Sequence, residues 1–235
     1  MRGLGLIRTG AADDYGDVFM DAMASEYERG TAWTRMRLEN VRLLVDPQPG
    51  DRVLDVGSAS GSIAHYLSTF GCDPVGVDLS EAGVRRARER FPELRFEVAD
   101  AGALPFPDGS FDKAVAADVT EHLDDATLRA MLAECRRVLV PGGTLSIHTP
   151  NPRHLIERLK ARNLVLAQNR THIGLRTGAD LRDELERAGF TVELDLRRPG
   201  FYPGLRTLER LAGPRAELLG YRICIRARTP RSSAS

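Results

Sequence analysis

Asp118, Glu121 and His122 stand at i, i+3 and i+4 in Ala117-Asp118-Val119-Thr120-Glu121-His122. On a helical turn this spacing puts two carboxylates and an imidazole on one face. Such a set can hold a divalent cation or move a proton at a reacting group. The plainer alternative is a polar cap that closes a neighbouring pocket. The preceding run, Lys113–Ala117, reads as a strand, so the set lies at a strand's C-terminal end, where open α/β sheets place ligands.

A second group of residues is suited to holding a ligand. Val53-Leu54-Asp55-Val56-Gly57-Ser58-Ala59-Ser60-Gly61 passes from a buried strand into small residues and then a helix. Small residues let a ligand approach backbone N–H groups at a helix N-terminus. A dinucleotide fingerprint would need three spaced glycines, which here fall on Gly57, Ala59 and Ser62, so two of three fail. Asp78 closes the next strand, in Val77-Asp78-Leu79-Ser80, and Asp100 a third, in Val98-Ala99-Asp100-Ala101. A carboxylate at the first of these tips can accept from both ribose hydroxyls, since it offers two oxygens and no donor. An acid at the second suits an exocyclic adenine amine. Each alone reads as a turn or cap residue; Asp55, Asp78 and Asp100 at successive strand ends together indicate a nucleoside site.

The elements that must position these residues follow from an alternation of short apolar runs and amphipathic segments, the pattern of an α/β fold with a mostly parallel sheet. Strands are expected at Arg52–Val56, Pro74–Val77, Arg95–Val98, Lys113–Ala117, Thr144–His148, Thr191–Leu196 and Tyr221–Arg226. Helices are expected at about Ser60–Phe70, Ser80–Arg90, Asp125–Val140 and Ala179–Ala188, with Pro141-Gly142-Gly143 as a tight turn feeding the fifth strand. One domain over 1–235 accounts for this: N-terminal helices in 15–45, a cofactor-binding core in 50–150, lid insertions at 150–178 and 199–220, and a disordered tail from 229 to 235. Tyr15, Tyr27 and Trp33 in the first helices either shut the cleft or pack the core. His65 is expected at the surface, and His148 and His154 near an acceptor pocket or as polar residues at element ends.

Over roughly Gly50–Phe190 the chain resembles the class I S-adenosylmethionine-dependent methyltransferases, on VLDVGSASG, VGVDLS, EVADAGALPFPDGSFDKAVAADVTEHL and LAECRRVLVPGGTLSIHTPN. The resemblance implies a Rossmann-like seven-stranded sheet of order 3-2-1-4-5-7-6, with strand 7 antiparallel and helices on both faces. It implies S-adenosyl-L-methionine as cofactor and S-adenosyl-L-homocysteine as product. The loop of Gly57, Ser58, Ala59 and Gly61 would hold the methionine end, Asp78 the ribose and Asp100 the adenine, with Asp55, Leu79, Ala101 and Asp118 also among the cofactor-binding residues. Ala59 departs from the family, which commonly has Gly there.

The Asp118/Glu121/His122 spacing also resembles two subgroups, the catechol O-methyltransferases of ubiquinone synthesis and the small-RNA terminal 2′-O-methyltransferases. Both hold a metal with an acid-x-x-Glu-His cluster and a later histidine. The resemblance makes His172, in the insertion, that later ligand, and Asp118, Glu121, His122 and His172 a site for Mg²⁺, Mn²⁺, Fe²⁺ or Zn²⁺. Asp118 stands where those subgroups have Glu, one methylene longer. Two other readings stand beside it: His122 or His172 as a metal-free general base, and a structural role. The function expected is O-methylation of a small molecule; the alternatives are an RNA 2′-O-methyltransferase and a non-catalytic cofactor-binding relative.

Composition narrows the partners. Lys+Arg and Asp+Glu both total 33, for a formal charge of zero, which disfavours a general nucleic-acid binder. The balance is uneven along the chain: residues 1–150 carry 16 basic and 24 acidic side chains, residues 151–235 carry 17 and 9. Attraction between two halves of one domain explains the split. The functional alternative is a basic lid receiving an anionic acceptor through Arg153, Arg158 and Arg176. Three widely spaced cysteines, Cys72, Cys135 and Cys224, suggest thiols in a reducing compartment. With no apolar stretch near the roughly 20 residues that span a bilayer and no signal-peptide core, a cytoplasmic location is expected. Oligomeric state is not legible.

Overall fold

Val53, Leu54 and Val56 form an almost unbroken apolar run, and all three are buried, as a central parallel strand covered on both faces requires. In a computed structural model, which describes residues 25, 27–160, 171–200, 207, 211 and 218–231, this strand lies inside the sheet with a parallel neighbour on each side. The elements in chain order are α1 (Ala32–Val45), β1 (Arg52–Val56), α2 (Ser62–Ser68), β2 (Asp73–Asp78), α3 (Glu81–Arg90), β3 (Arg95–Val98) and β4 (Phe111–Ala117). A 3₁₀ turn (Thr120–His122), α4 (Asp125–Val138), β5 (Leu139–Pro150), α5 (Leu155–Lys160), α6 (Gly178–Arg187), β6 (Thr191–Arg198) and β7 (Arg222–Arg228) follow.

The seven strands are ordered β3-β2-β1-β4-β5-β7-β6, with β7 antiparallel to both neighbours, as expected. Helices cover both faces. Leu128, Met131, Leu132 and Val138 of α4 join Leu181 and Leu185 of α6 over one face, while Val41 and Val45 of α1 meet Ile63 and Leu67 of α2 over the other. Burying a side chain of this size contributes about 1.5–3 kcal/mol. Local signals agree with the helix starts: Ser80 caps α3 through Gly83 N, Asp124 caps α4 through Thr127 N, and Thr177 with Asp180 forms a capping box on α6.

Two expectations need correction. Pro141-Gly142-Gly143 does not precede the fifth strand but lies within it. Leu139 pairs with Phe111 and Thr144 with Lys113, so Val140–Gly143 leaves the ladder as an excursion, with Gly142 at φ 80°. The expected tail begins too early: Thr229 is buried, and its N–H donates to Gly143 O at 2.9 Å and its hydroxyl to Val140 O at 2.8 Å. Tyr15, residues 161–170, most of 201–217 and residues 232–235 lie outside the described residues.

Register decides which side chains share an edge. Val56 pairs with Val77 and Ala116, Asp78 with Val98, and Ala117 with His148, so the segments after β1, β2, β3 and β4 emerge together. Because β7 runs the other way, its first residue, Arg222, arrives at that same edge opposite Pro150.

Candidate active site

The glycine loop is shaped by the end of β2. Gly57 N–H and Ser58 N–H both donate to Val77 O, at 2.8 and 2.9 Å, and Ala59 N–H donates to Asp78 Oδ2 at 2.8 Å. Gly57 has φ 72°, and a Cβ there would overlap Val119 Cγ2, so only glycine lets the loop pack on the segment that carries Glu121. Gly61, at φ 81°, caps α2. Ala59 adopts φ 46°, a left-handed conformation in which its methyl is strained.

Asp55 is buried beneath this loop. Its Oδ2 accepts from Ala64 N–H at 3.1 Å, while its Oδ1 and the buried hydroxyl of Ser58 have no partner. Burial pushes the Asp55 carboxyl up to about 7. Two unsatisfied acceptors under a glycine loop suit an ammonium group, which the methionine end of S-adenosylmethionine provides. Asp78 accepts from Ala59 N–H and, through Oδ1, from Ser80 N–H at 2.8 Å. A carboxylate oxygen has a second lone pair, so both remain able to accept from ribose hydroxyls. Asp100 is half-buried and accepts from Gly102 N–H at 2.8 Å. Leu79 is 46% exposed beside Asp78, and Ala101 packs on the main core.

The acid-x-x-Glu-His segment separates into two parts. Asp118 has φ 60°, so the chain is not helical there and Asp118 does not share a face with Glu121 and His122. Its Oδ2 accepts from Arg37 Nε at 2.7 Å, and its Oδ1 lies 3.4 Å from Arg222 Nη1 and 3.5 Å from His148 Nδ1. Burial alone would raise this carboxyl; Arg222, His148 and Arg37 outweigh it and hold it well below the ordinary range. Among the described residues, the ligand atoms of Glu121, His122 and His172 lie within 4.8 Å of one another, and Asp118 stands outside that group.

In the three-residue cluster Glu121 is buried and His122 and His172 are half-buried. Glu121 is 2% exposed and accepts from the Thr149 hydroxyl at 2.9 Å. Burial, then the negative charge of Asp118, pushes its carboxyl up to about 8. The His122 and His172 rings stand edge to face, 5.0 Å apart. His122 Nδ1 lies 3.1 Å from Thr171 O, a contact that requires an N–H there and makes Nε2 the acceptor nitrogen of the ring. Burial lowers the His122 imidazole; burial and the neighbouring His122 lower His172 to about 4. His172 Nδ1 is buried without a partner.

Several residues that line this edge were not anticipated. Arg37 and Arg222, both buried, neutralise Asp118, and Asn40 bridges Arg198 and His148. The signal for Arg222 was present in Tyr221-Arg222-Ile223-Cys224-Ile225-Arg226: a charge at the start of a buried strand. His148 and His154 are both fully buried, and His154 Nδ1 accepts from Ile156 N–H. His65 is half-buried rather than fully at the surface; it stacks on Phe91 with centroids 4.2 Å apart and contacts Tyr27 Oη at 2.9 Å. Tyr27 thus joins a packed aromatic group, and Trp33 lies beneath Arg37. Arg176 is committed to internal hydrogen bonds, while Arg153 and Arg158 are exposed. Ion pairs from Asp118 to Arg222 and Asp125 to Arg176 join the acidic and basic halves of the chain.

A cavity of about 640 Å³ lies at the opposite edge of the sheet, away from this chemistry. Three of its arginines are already paired: Arg129 and Arg187 with Glu184, Arg137 with Glu134 and Asp108. Among the described residues no helix is long and apolar enough to cross a membrane.

A family model described as a methyltransferase domain matches residues 53–143, from β1 to the excursion in β5. The chain is 30% identical to an O-methyltransferase of Aspergillus sclerotiorum over 85% of its own length and 82% of that protein. It is 36% identical to a demethylmenaquinone methyltransferase of Beutenbergia cavernae over 49% of its length and 45% of that protein. The chain spans about half the length of several curated relatives it matches. An S-adenosylmethionine-dependent methyltransferase from Mesorhizobium loti shares the fold, with TM-score 0.64 and 22% identity over 85% of this chain and 99% of that one. With the 3-2-1-4-5-7-6 sheet, the glycine loop and the acids at its strand ends, these relationships place the chain in the class I S-adenosylmethionine-dependent methyltransferases.

Proposed function

We propose that this enzyme methylates a hydroxyl oxygen of a small organic molecule. One observation carries the reading: the Glu121–His122–His172 cluster, with Glu121 buried and both histidines half-buried, adjoins Val119, whose side chain packs against Gly57 of the cofactor loop. Bound S-adenosylmethionine supplies an electrophilic methyl carbon. The chain's part is to aim an acceptor oxygen at that carbon and to remove its proton. Glu121, ionised on acquiring a positive partner, or a neutral imidazole of His122 or His172, can take it. The name of the Aspergillus relative is consistent with oxygen as the acceptor.

The cluster fits a divalent cation. One carboxylate with two imidazoles favours Zn²⁺, Fe²⁺ or Mn²⁺ over Mg²⁺, which prefers oxygen donors. The His122 Nδ1 contact with a backbone carbonyl is the outer contact that metal-bound histidines characteristically make. Glu121, His122 and His172 would hold the ion, with Asp118 excluded by its arginines; when bound, it would lower the pKa of the acceptor hydroxyl. Exposed Arg153 and Arg158 remain available for an anionic acceptor; Arg176 does not.

The test is transfer of labelled methyl from S-adenosylmethionine to a panel of phenols, catechols and aliphatic alcohols, before and after EDTA treatment. An O-methyl product, with activity lost on chelation and restored by Zn²⁺, Fe²⁺ or Mn²⁺, is expected. Full activity after chelation would favour the metal-free base. A methyl found on carbon or nitrogen would overturn the reading.

A further inference from the structure

Arg176 joins two chain segments that are far apart in sequence. Its side chain is 9% exposed. Nη1 donates to Thr120 O at 2.9 Å and to Gly174 O at 2.8 Å. Nη2 donates to Leu123 O at 2.9 Å and to Asp125 Oδ1 at 2.7 Å, and Nε reaches the same carboxylate at 3.2 Å. Thr120 and Leu123 bracket Glu121 and His122, while Gly174 lies two residues after His172. Gly174 N–H also donates to Glu121 O at 2.9 Å, and a Cβ on Gly174 would overlap Leu123 O.

We propose that Arg176 is a positioning residue that assembles the Glu121–His122–His172 cluster, clamping the His172 loop onto the 3₁₀ turn. His172 has no regular element to hold it: residues 171–177 are irregular up to the capping box of α6. Its ring must be brought to His122 by loop contacts, and the planar guanidinium supplies donors to both segments at once. A lysine ammonium carries the charge without that fork. The inference rests on the cluster being the acid–base or metal group proposed above, and its test separates the two.

Four full-length proteins suffice: wild type, Arg176→Ala, Arg176→Lys and Gly174→Ala, the last displacing the loop while Arg176 is retained. Two readouts are taken. The first is the nuclear Overhauser contact between the His122 and His172 rings; the second is Co²⁺ affinity by visible absorption. Calorimetry with S-adenosylmethionine and thermal denaturation serve as controls. The ring contact is expected in wild type and lost in Arg176→Ala and Gly174→Ala. Co²⁺ affinity should fall about 10–100-fold, the usual cost of removing an outer contact of a metal ligand. Arg176→Lys should recover part of both, and cofactor affinity should stay within about twofold. Retention of the ring contact in a folded Arg176→Ala protein, or unchanged Co²⁺ affinity, overturns the inference. Wild type that shows the ring contact but binds no Co²⁺ overturns the metal reading alone, and the ring contact still decides the role of Arg176.

Discussion

The Nε of Arg37 donates to Asp118 Oδ2 at 2.7 Å, joining α1 to the end of β4 across 81 positions of sequence. The same guanidinium donates from Nη2 to Ala117 O at 3.0 Å. With Arg222 on the other oxygen, Asp118 is committed to charge neutralisation at the cofactor edge and is unavailable to the Glu121–His122–His172 cluster.

Removing that carboxylate leaves two buried arginines without their counter-charge. Asp118→Ala should therefore cost about 3–5 kcal/mol of stability, the usual result of breaking one side of a buried ion pair. Urea denaturation measures it. A loss below about 1 kcal/mol would show that the arginines find other partners, and Co²⁺ affinity should change far less than in His172→Ala.

Ala59 occupies a position with φ 46° that glycine would adopt without strain. The left-handed conformation costs an alanine roughly 1–2 kcal/mol, partly offset by the greater freedom of glycine in the unfolded chain. Ala59→Gly should raise stability by about 0.5–1 kcal/mol, seen as a higher Tm, without weakening S-adenosylmethionine binding. A lower Tm would mean that the methyl makes a compensating contact.

Asp78 shapes the loop, through Ala59 N–H, and is the residue proposed to accept from the ribose hydroxyls. Asp78→Ala removes both roles and should weaken S-adenosylmethionine binding by at least about tenfold, a loss of ~1.4 kcal/mol or more. Asp78→Asn, which keeps one acceptor oxygen, should fall between. Calorimetry with equal affinities in all three proteins would reject the assignment.

Asp55 gives the clearest pH dependence. Its carboxyl is pushed up to about 7 by burial, against about 3.9 in an unfolded chain. The folded state holds the proton more tightly, so this stabilisation is full below about pH 4 and is lost as pH rises toward 7. Asp55→Asn removes the titration and keeps an acceptor for Ala64 N–H. Its Tm relative to wild type should therefore rise between pH 5 and pH 8; a constant difference would place the Asp55 carboxyl at its ordinary value.

Much of the framework was legible because it depends on local periodicity. Arg52–Val56 and Arg95–Val98 are strands at the expected boundaries, and the helices expected from Ser80 and Asp125 start there because Ser80 and Asp124 accept from nearby N–H groups. Boundaries slipped where long-range pairing decides them: β5 begins five residues early because Leu139 pairs with Phe111, and Thr229 is ordered by the β5 excursion. The His65 ring, polar in sequence, is half-buried because Tyr27 and Phe91 come to it from distant segments.

The sequence by itself determined the family, the strand order that the family implies, and the acids at the strand ends, because each depends on a short motif acting in its own turn. Tertiary structure alone decided the grouping of the charged side chains. Spacing at i, i+3 and i+4 implies a common face only in a helix; the left-handed conformation of Asp118 breaks that face. Arg37 and Arg222 then meet Asp118, while His172 meets His122. Those partners come from separate elements that the β4–β5–β7 register carries to one edge, and a buried charge must pair with the opposite charge that the fold brings within reach.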